Sequence, residues 1–139
     1  MGARTKGRRR ATDVLYAADV RGVPVAEILA QEASRAEHEP ERATSWAFAR
    51  QILLGVGEHR DEIDELLTTY SRGWPLDRMP AVDRAILRVG VWELRWSSDV
   101  PPSVAITEAV ESAKTLSTED SGRFVHGVLG RIAELPTSP

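Results

Sequence analysis

Apolar side chains recur along the chain at the spacing of an α-helix, and no segment shows the strict alternation of a half-buried strand. Between residues 8 and 20 the apolar positions follow i, i+3, i+4 and i+7, with one stripe formed by Ala11, Val14, Leu15 and Ala18. We therefore predict a first helix over residues 8–20. It should end at Gly22, because glycine readily takes the left-handed conformation that closes a helix.

The same spacing predicts six further helices separated by short connections. A proline at position 24 suits the first turn of the second helix, and the polar residues 34–41 predict a loop after it. Residues 71–80, which contain one glycine and two prolines, predict a connection with at most one short helical turn. The other helices are expected from about residue 43 to a break near residue 57, over 58–70, 81–96 and 104–116, and after a capping segment at 117–120.

Residues 81–96 are apolar on several faces, which is typical of a central helix. Short connections favour antiparallel neighbours, so the pattern predicts an all-α fold, a single domain of about seven helices over residues 8–135. Gly127 and Gly130 fall inside the last helix, where glycine is unfavourable. We predict that a neighbouring helix packs closely against these two positions.

The charge is divided unevenly along the chain. The formal net charge is −3, but residues 1–10 hold five basic side chains and no acidic one, which leaves 13 basic and 21 acidic side chains elsewhere. We interpret residues 1–10 as a basic RNA-binding arm, mobile over residues 1 to about 7 in the free protein. Arginine matches phosphate geometry and stacks on bases; a solvated tail that only aids solubility is the alternative. The basic residues of the arm are Arg4, Lys6, Arg8, Arg9 and Arg10.

The sequence lacks the patterns of common catalytic and metal sites. There is no cysteine, no phosphate-binding glycine loop and no HExxH or GxSxG motif. The three histidines, His38, His59 and His126, are far apart, and the acidic run at 58–65 is typical of a solvated helix face. No apolar run is long enough to span a membrane. We expect a cytoplasmic protein that is not an enzyme, with no catalytic residue, metal or cofactor.

Several short motifs resemble the NusB family of transcription antitermination proteins. The resemblance is strongest over residues 76–132. In chain order the motifs are Arg8-x-x-Ala11-x-x-x-Leu15-Tyr16, VDRAILR at 82–88, WEL at 92–94, DVP at 99–101, VAITEAV at 104–110 and FVHGVL at 124–129. The family often has asparagine where this chain has Thr107 and His126, which affects local polar contacts rather than the fold.

The resemblance implies two packed helical bundles and a protein that binds the boxA element of nascent ribosomal RNA transcripts together with the ribosomal protein NusE. Other Nus factors and RNA polymerase would join this complex indirectly. RNA contacts are implied for the arm, for Asp120 and Ser121 in the turn before the last helix, and for Phe124. A core role for Phe124 is equally open at this point.

The resemblance further implies a NusE surface that includes Tyr16 and Asp83, although Asp83 also suits a helix N-terminus as a negative charge. Two other functions are open: a protein-interaction scaffold without RNA affinity, and an RNA-binding domain related to that of ribosomal RNA methyltransferases. The length of 139 residues leaves no room for the catalytic domain of such an enzyme. The sequence leaves a homodimer possible.

Overall fold

The computed structural model describes residues 2–136, apart from the side chains of residues 35 and 36. The described part contains seven α-helices, two single 3-10 turns and no strand, so the prediction of an all-α domain is confirmed. The helices are α1 (Ala3–Arg21), α2 (Val25–Glu37), α3 (Ala43–Glu58), α4 (Arg60–Tyr70), α5 (Ala81–Trp96), α6 (Pro102–Leu116) and α7 (Glu119–Ala133). The 3-10 turns are Pro40–Arg42 and Leu76–Arg78.

Most helix ends follow from local chemistry. Gly22 closes α1 at φ 65°, with its N–H donating to Ala18 O. Thr118 caps α7, because its hydroxyl accepts a hydrogen bond of 3.0 Å from the N–H of Ser121. Pro102 starts α6 at a position where a helix has no internal partner for an N–H group.

Two helices are longer than the pattern predicts. Helix α2 continues to Glu37, so the prediction of a loop from residue 34 is wrong there. The helix stops only where Glu39, the residue before Pro40, leaves the helical conformation at φ −135° and ψ 78°. Helix α1 starts at Ala3 instead of residue 8.

Helix α5 is the centre of the molecule and is buried along most of its length. Helices α1 and α3 pack on one side of it, and α4, α6 and α7 on the other. Ion pairs join the start of α1 to the end of α5 and the end of α1 to the start of α5, so these two helices are antiparallel. Helix α7 runs in the same direction as α5, since contacts link Asp83 to Ser121 and Gly90 to Leu129.

Close helix packing occurs at glycines other than the two predicted. A Cβ atom at Gly90 would lie 2.7 Å from Leu129 Cδ1, and one at Gly55 would lie 2.0 Å from Trp92 Nε1. A Cβ at Gly130 would meet nothing within 4 Å, and one at Gly127 would meet only Arg131. The prediction for the last helix is therefore wrong, whereas the packing requires glycine at Gly55 on α3 and Gly90 on α5.

Candidate nucleic-acid interface

The basic arm is the first two turns of α1. This helix packs tightly on α3 at Gly7, where a Cβ atom would lie 2.8 Å from Phe48 Cδ2 and 2.9 Å from Ser45 O. The prediction of a mobile segment over residues 1 to about 7 is therefore wrong for residues 3–7, which form regular helix. Met1 lies outside the described residues.

One arginine of the arm faces the interior. Arg8 is 5% exposed, and its Nε and Nη2 donate to the two carboxylate oxygens of Glu93 at 2.6 and 3.0 Å. Its Nη1 lies 3.5 Å from Glu108, which also accepts a 2.8 Å hydrogen bond from Thr5. Arg8 therefore ties α1 to α5 and α6 and is unavailable to a ligand, which corrects its prediction as an RNA contact.

The other basic residues of the arm remain at the surface to different extents. Arg4 and Lys6 are exposed, whereas Arg9 and Arg10 are partly buried. Arg10 donates to Ser45 Oγ at 2.9 Å and lies over the ring of Trp46. The guanidinium group of Arg4 lies 5.4 Å from the centre of the Phe48 ring. The result is a cationic face held at a fixed place on an acidic body.

Asp13 follows this face on α1. Although the residue is exposed overall, desolvation raises the pKa of its carboxyl group above the usual value, and the nearby Arg9 and Arg10 partly offset that increase. The carboxylate consequently belongs to the electrostatic surroundings of the arm.

The turn before α7 contains a buried polar network. Asp83 is fully buried in the first turn of α5, and its Oδ2 accepts a 2.9 Å hydrogen bond from Ser121 Oγ. Hydroxyls of Ser117 and Thr118 lie 2.9 and 3.1 Å from the same Ser121 oxygen. The burial of Asp83 contradicts its prediction as a contact for a protein partner. Ser121 is buried as well, so its side chain holds the turn together instead of facing RNA.

The exposed part of this turn is formed by other side chains. Asp120 is 87% exposed and forms an ion pair with Arg123, which is 73% exposed. Phe124 is partly exposed, and its ring meets that of Trp74 edge to face at 4.6 Å. Phe124 thus packs against the core with part of its ring and exposes the rest. This combines the core role and the exposed role that the sequence left open.

Two basic residues near the turn were missed by sequence reasoning. They are Arg123 and Lys114. The side chain of Lys114 packs over Gly122, where a Cβ atom would lie 2.9 Å from Lys114 Cγ. The signal was present, since both are cations within one or two helical turns of residues already singled out.

The arm and the α7 turn lie at opposite ends of α5. Glu93, which anchors the arm, and Asp83, which anchors the turn, are ten residues apart on one helix. At 1.5 Å per residue these anchors are separated by roughly 15 Å. Helix α6 bridges the gap, with Glu108 at the arm and Ser117 at the turn.

Tyr16 lies farther along α1, on an exposed apolar patch. Tyr16 is 43% exposed and Val20, one helical turn later, is 59% exposed. Tyr16 is therefore accessible, as a contact for a protein partner must be, and the exposed Val20 lies beside it.

The described residues contain no group of three or more histidine, cysteine, aspartate or glutamate side chains that could hold a metal ion. Within that same part of the chain, no helix is long and apolar enough to cross a membrane.

Comparison with known proteins decides the family. The model of the NusB family matches residues 5–134. The chain belongs to the NusB family. Its relatives are named transcription antitermination proteins, and membership of this family means that the chain is not an enzyme, as predicted.

The likeness to individual NusB proteins covers nearly the whole chain. The transcription antitermination protein NusB of Clavibacter sepedonicus is 59% identical over 133 residues, which span 96% of this chain and 97% of that protein. The structure of T. maritima NusB is similar with a TM-score of 0.82 and 33% identity, covering 98% of this chain and 93% of that one.

A third similar protein is found in a complex. A structure of the antitermination factors NusB and NusE bound to double-stranded RNA has a TM-score of 0.82 and 28% identity, with 95% of this chain and 96% of that chain covered. The bundle described above is therefore one that, in another protein, is found with RNA and NusE.

Proposed function

We propose that this protein is an RNA-binding transcription antitermination factor that binds the boxA element of nascent ribosomal RNA together with NusE. The observation that carries the proposal is the cationic face of α1, held in a fixed position on an acidic body. The similar NusB that is found with NusE and RNA supports the same function.

The mechanism needs no bond-making step. Exposed Arg4 and Lys6 attract the phosphates of a single strand, and the partly exposed ring of Phe124 offers a surface on which an unpaired base stacks. NusE is proposed to cover the patch of Tyr16 and Val20. Simultaneous RNA and protein contacts then raise the effective concentration of this complex at the polymerase, with other Nus factors joining it.

The α7 turn gives this surface a means of reading bases. The carboxylate of Asp120 repels phosphates but accepts hydrogen bonds from the amino groups of bases. Its ion pair with Arg123 is exposed, so RNA can exchange for either partner at small cost.

Replacing Arg4 and Lys6 together by alanine is expected to weaken binding to a single-stranded boxA RNA. Each lost phosphate contact should lower the slope of log affinity against log salt by about 0.7, or about 1.4 for the pair. Both side chains are exposed, so the melting temperature should stay unchanged. Filter binding over a salt series gives the slope.

The matched control replaces two exposed arginines outside residues 1–10, Arg21 and Arg50, by alanine. This control changes the net charge equally and should leave the slope at its parental value. Equal losses in both double variants would contradict a specific role of the arm, and a parent without RNA affinity would favour the scaffold function.

Phe124→Ala is expected to reduce RNA affinity by about 1–3 kcal/mol through loss of base stacking. Its unfolding free energy should fall by less than that of Ile132→Ala, a fully buried control on the same helix, for which we expect a loss of about 2–5 kcal/mol. Binding measured on the folded fraction and denaturant titration separate the two effects. Parental affinity in folded Phe124→Ala would remove this ring from the interface.

A further inference from the structure

The connection between α4 and α5, residues 71–80, holds an aromatic side chain against the proposed RNA surface. Trp74 is partly exposed and packs edge to face on Phe124, with ring centres 4.6 Å apart. Neither the sequence motifs nor the comparisons assign a role to this connection, which we call the tryptophan loop.

Arginines from two helices hold the tryptophan loop in place. At its start, Arg131 of α7 donates from Nε and Nη2 to Tyr70 O at 3.1 and 2.7 Å. At its end, Nη1 of Arg84 on α5 lies within hydrogen-bond distance of three carbonyl oxygens, those of Leu76, Asp77 and Met79. Inside the loop, buried Ser71 donates to Trp74 O at 2.9 Å. Both ends of the loop and its interior are thus anchored by side-chain hydrogen bonds.

The backbone before Trp74 is strained. Arg72 has φ 42° and is the only non-glycine residue in the described part of the chain with positive φ; Gly73 follows at φ 78°. A non-glycine residue in this conformation costs free energy and persists where surrounding contacts impose it, most often at binding sites. The two left-handed residues precede the turn in which Trp74 meets α7. Glycine at position 72 would relieve the strain, so an arginine there costs stability.

The loop also contributes positive charge beside the aromatic pair. Arg72 and Arg78 are exposed, and within the described residues neither has an ion pair or a hydrogen bond from its side chain. The exposed Arg123 lies beside Phe124 in sequence, one helical turn after the start of α7. Exposed acidic side chains also lie on this surface, among them Asp77, Asp120, which is paired with Arg123, and Glu134, which lines a pocket with Arg72.

We propose that the tryptophan loop is a second part of the RNA interface, in which Trp74 and Phe124 form one platform for an unpaired base and Arg72 and Arg78 contact the flanking phosphates. This inference rests on the proposed RNA-binding function. It adds a cationic and aromatic site at the end of α5 opposite the arm, so that one strand is held at two places.

The first test uses the intrinsic fluorescence of tryptophan during titration with single-stranded boxA RNA. Trp74→Phe keeps an aromatic ring and should lose most of the RNA-dependent fluorescence change. Trp96→Phe is the matched control, because Trp96 is also partly exposed and in ring contact, with His59, but lies at the end of α5 beside the arm. It should keep most of the RNA-dependent signal that Trp74→Phe loses.

The second test separates binding from folding. Trp74→Ala should weaken RNA binding by roughly 5- to 100-fold when measured on folded protein, from the usual contribution of one stacked base. Arg72→Gly should raise the melting temperature by relieving the strain, and still weaken RNA binding, with a salt slope lower by about 0.7. A merely structural role for position 72 would raise the melting temperature and leave RNA binding unchanged.

The results distinguish this inference from the function on which it rests. Parental RNA affinity in Trp74→Ala and Arg72→Gly, alongside weak binding by Phe124→Ala, would overturn the role of the loop and leave the proposed function intact. A parent that fails to bind the RNA would overturn both.

Discussion

Glu93→Gln is expected to destabilise the fold by about 3–5 kcal/mol, the usual cost of leaving one buried charge without its partner. Glu93 is 1% exposed and receives two hydrogen bonds from Arg8, which is itself buried. Glutamine preserves the shape of the side chain but removes the charge. Glu108 keeps its ion pair with Arg8 at 3.5 Å, but it is only partly buried and makes no hydrogen bond to the guanidinium group, so it offsets the loss only in part. Denaturant unfolding measures the effect, provided that the unfolding free energy of variant and parent depends equally steeply on denaturant concentration.

Two further variants show where this cost arises. Replacing Arg8 by methionine and Glu93 by leucine together removes both charges and should recover most of the stability lost by Glu93→Gln. Asp120→Asn breaks an exposed pair, with Arg123, and should leave the unfolding free energy unchanged. If Glu93→Gln is as stable as Asp120→Asn, the buried pair does not hold α1 to α5.

Leu129→Ala is expected to cost about 2–5 kcal/mol of unfolding free energy, because the side chain is fully buried and its loss leaves a cavity. The cavity would open beside Gly90, whose hydrogen atoms now face Leu129 Cδ1. Calorimetry and denaturant unfolding both report this change.

The facing glycine gives a second prediction for the same pair. Gly90→Ala alone places a Cβ 2.7 Å from Leu129 Cδ1 and should destabilise through overpacking, by about 1–3 kcal/mol. In the Leu129→Ala background the same change should be neutral or stabilising, because the space is free and alanine favours helix. Additive losses in the double variant would contradict direct packing between the two positions.

The sequence predicts helices well where their pattern is local. Residues 81–96 were expected as one central helix and form α5 within the same bounds. The connection at 71–80 was expected to hold at most one short helical turn, and it holds one. These segments are specified by apolar spacing and by proline, which act over a few residues. The end of α1 at Gly22 was predicted equally well.

The arm and the α7 turn depended on partners that are distant in sequence. Arg8 pairs with Glu93, 85 residues away, and Ser121 with Asp83, 38 residues away. A run of basic residues predicts a solvated arm until such a partner is known. Likewise, a lone phenylalanine can be core or surface until Trp74 is found beside it. Composition and motifs therefore predicted the kind of interface, whereas the assignment of individual side chains needed the fold.

Because α1 is continuous from Ala3 to Arg21, it affects both the association rate with RNA and the heat-capacity change on binding. A segment that folds on binding spends part of its interaction free energy on ordering and shows a large negative heat-capacity change. Here the cations already stand on a helix fixed to α3 and α5, so little surface remains to be buried by folding. The rate at which RNA meets the arm is then governed by long-range attraction between charges. The complex forms without a preceding folding step of the arm.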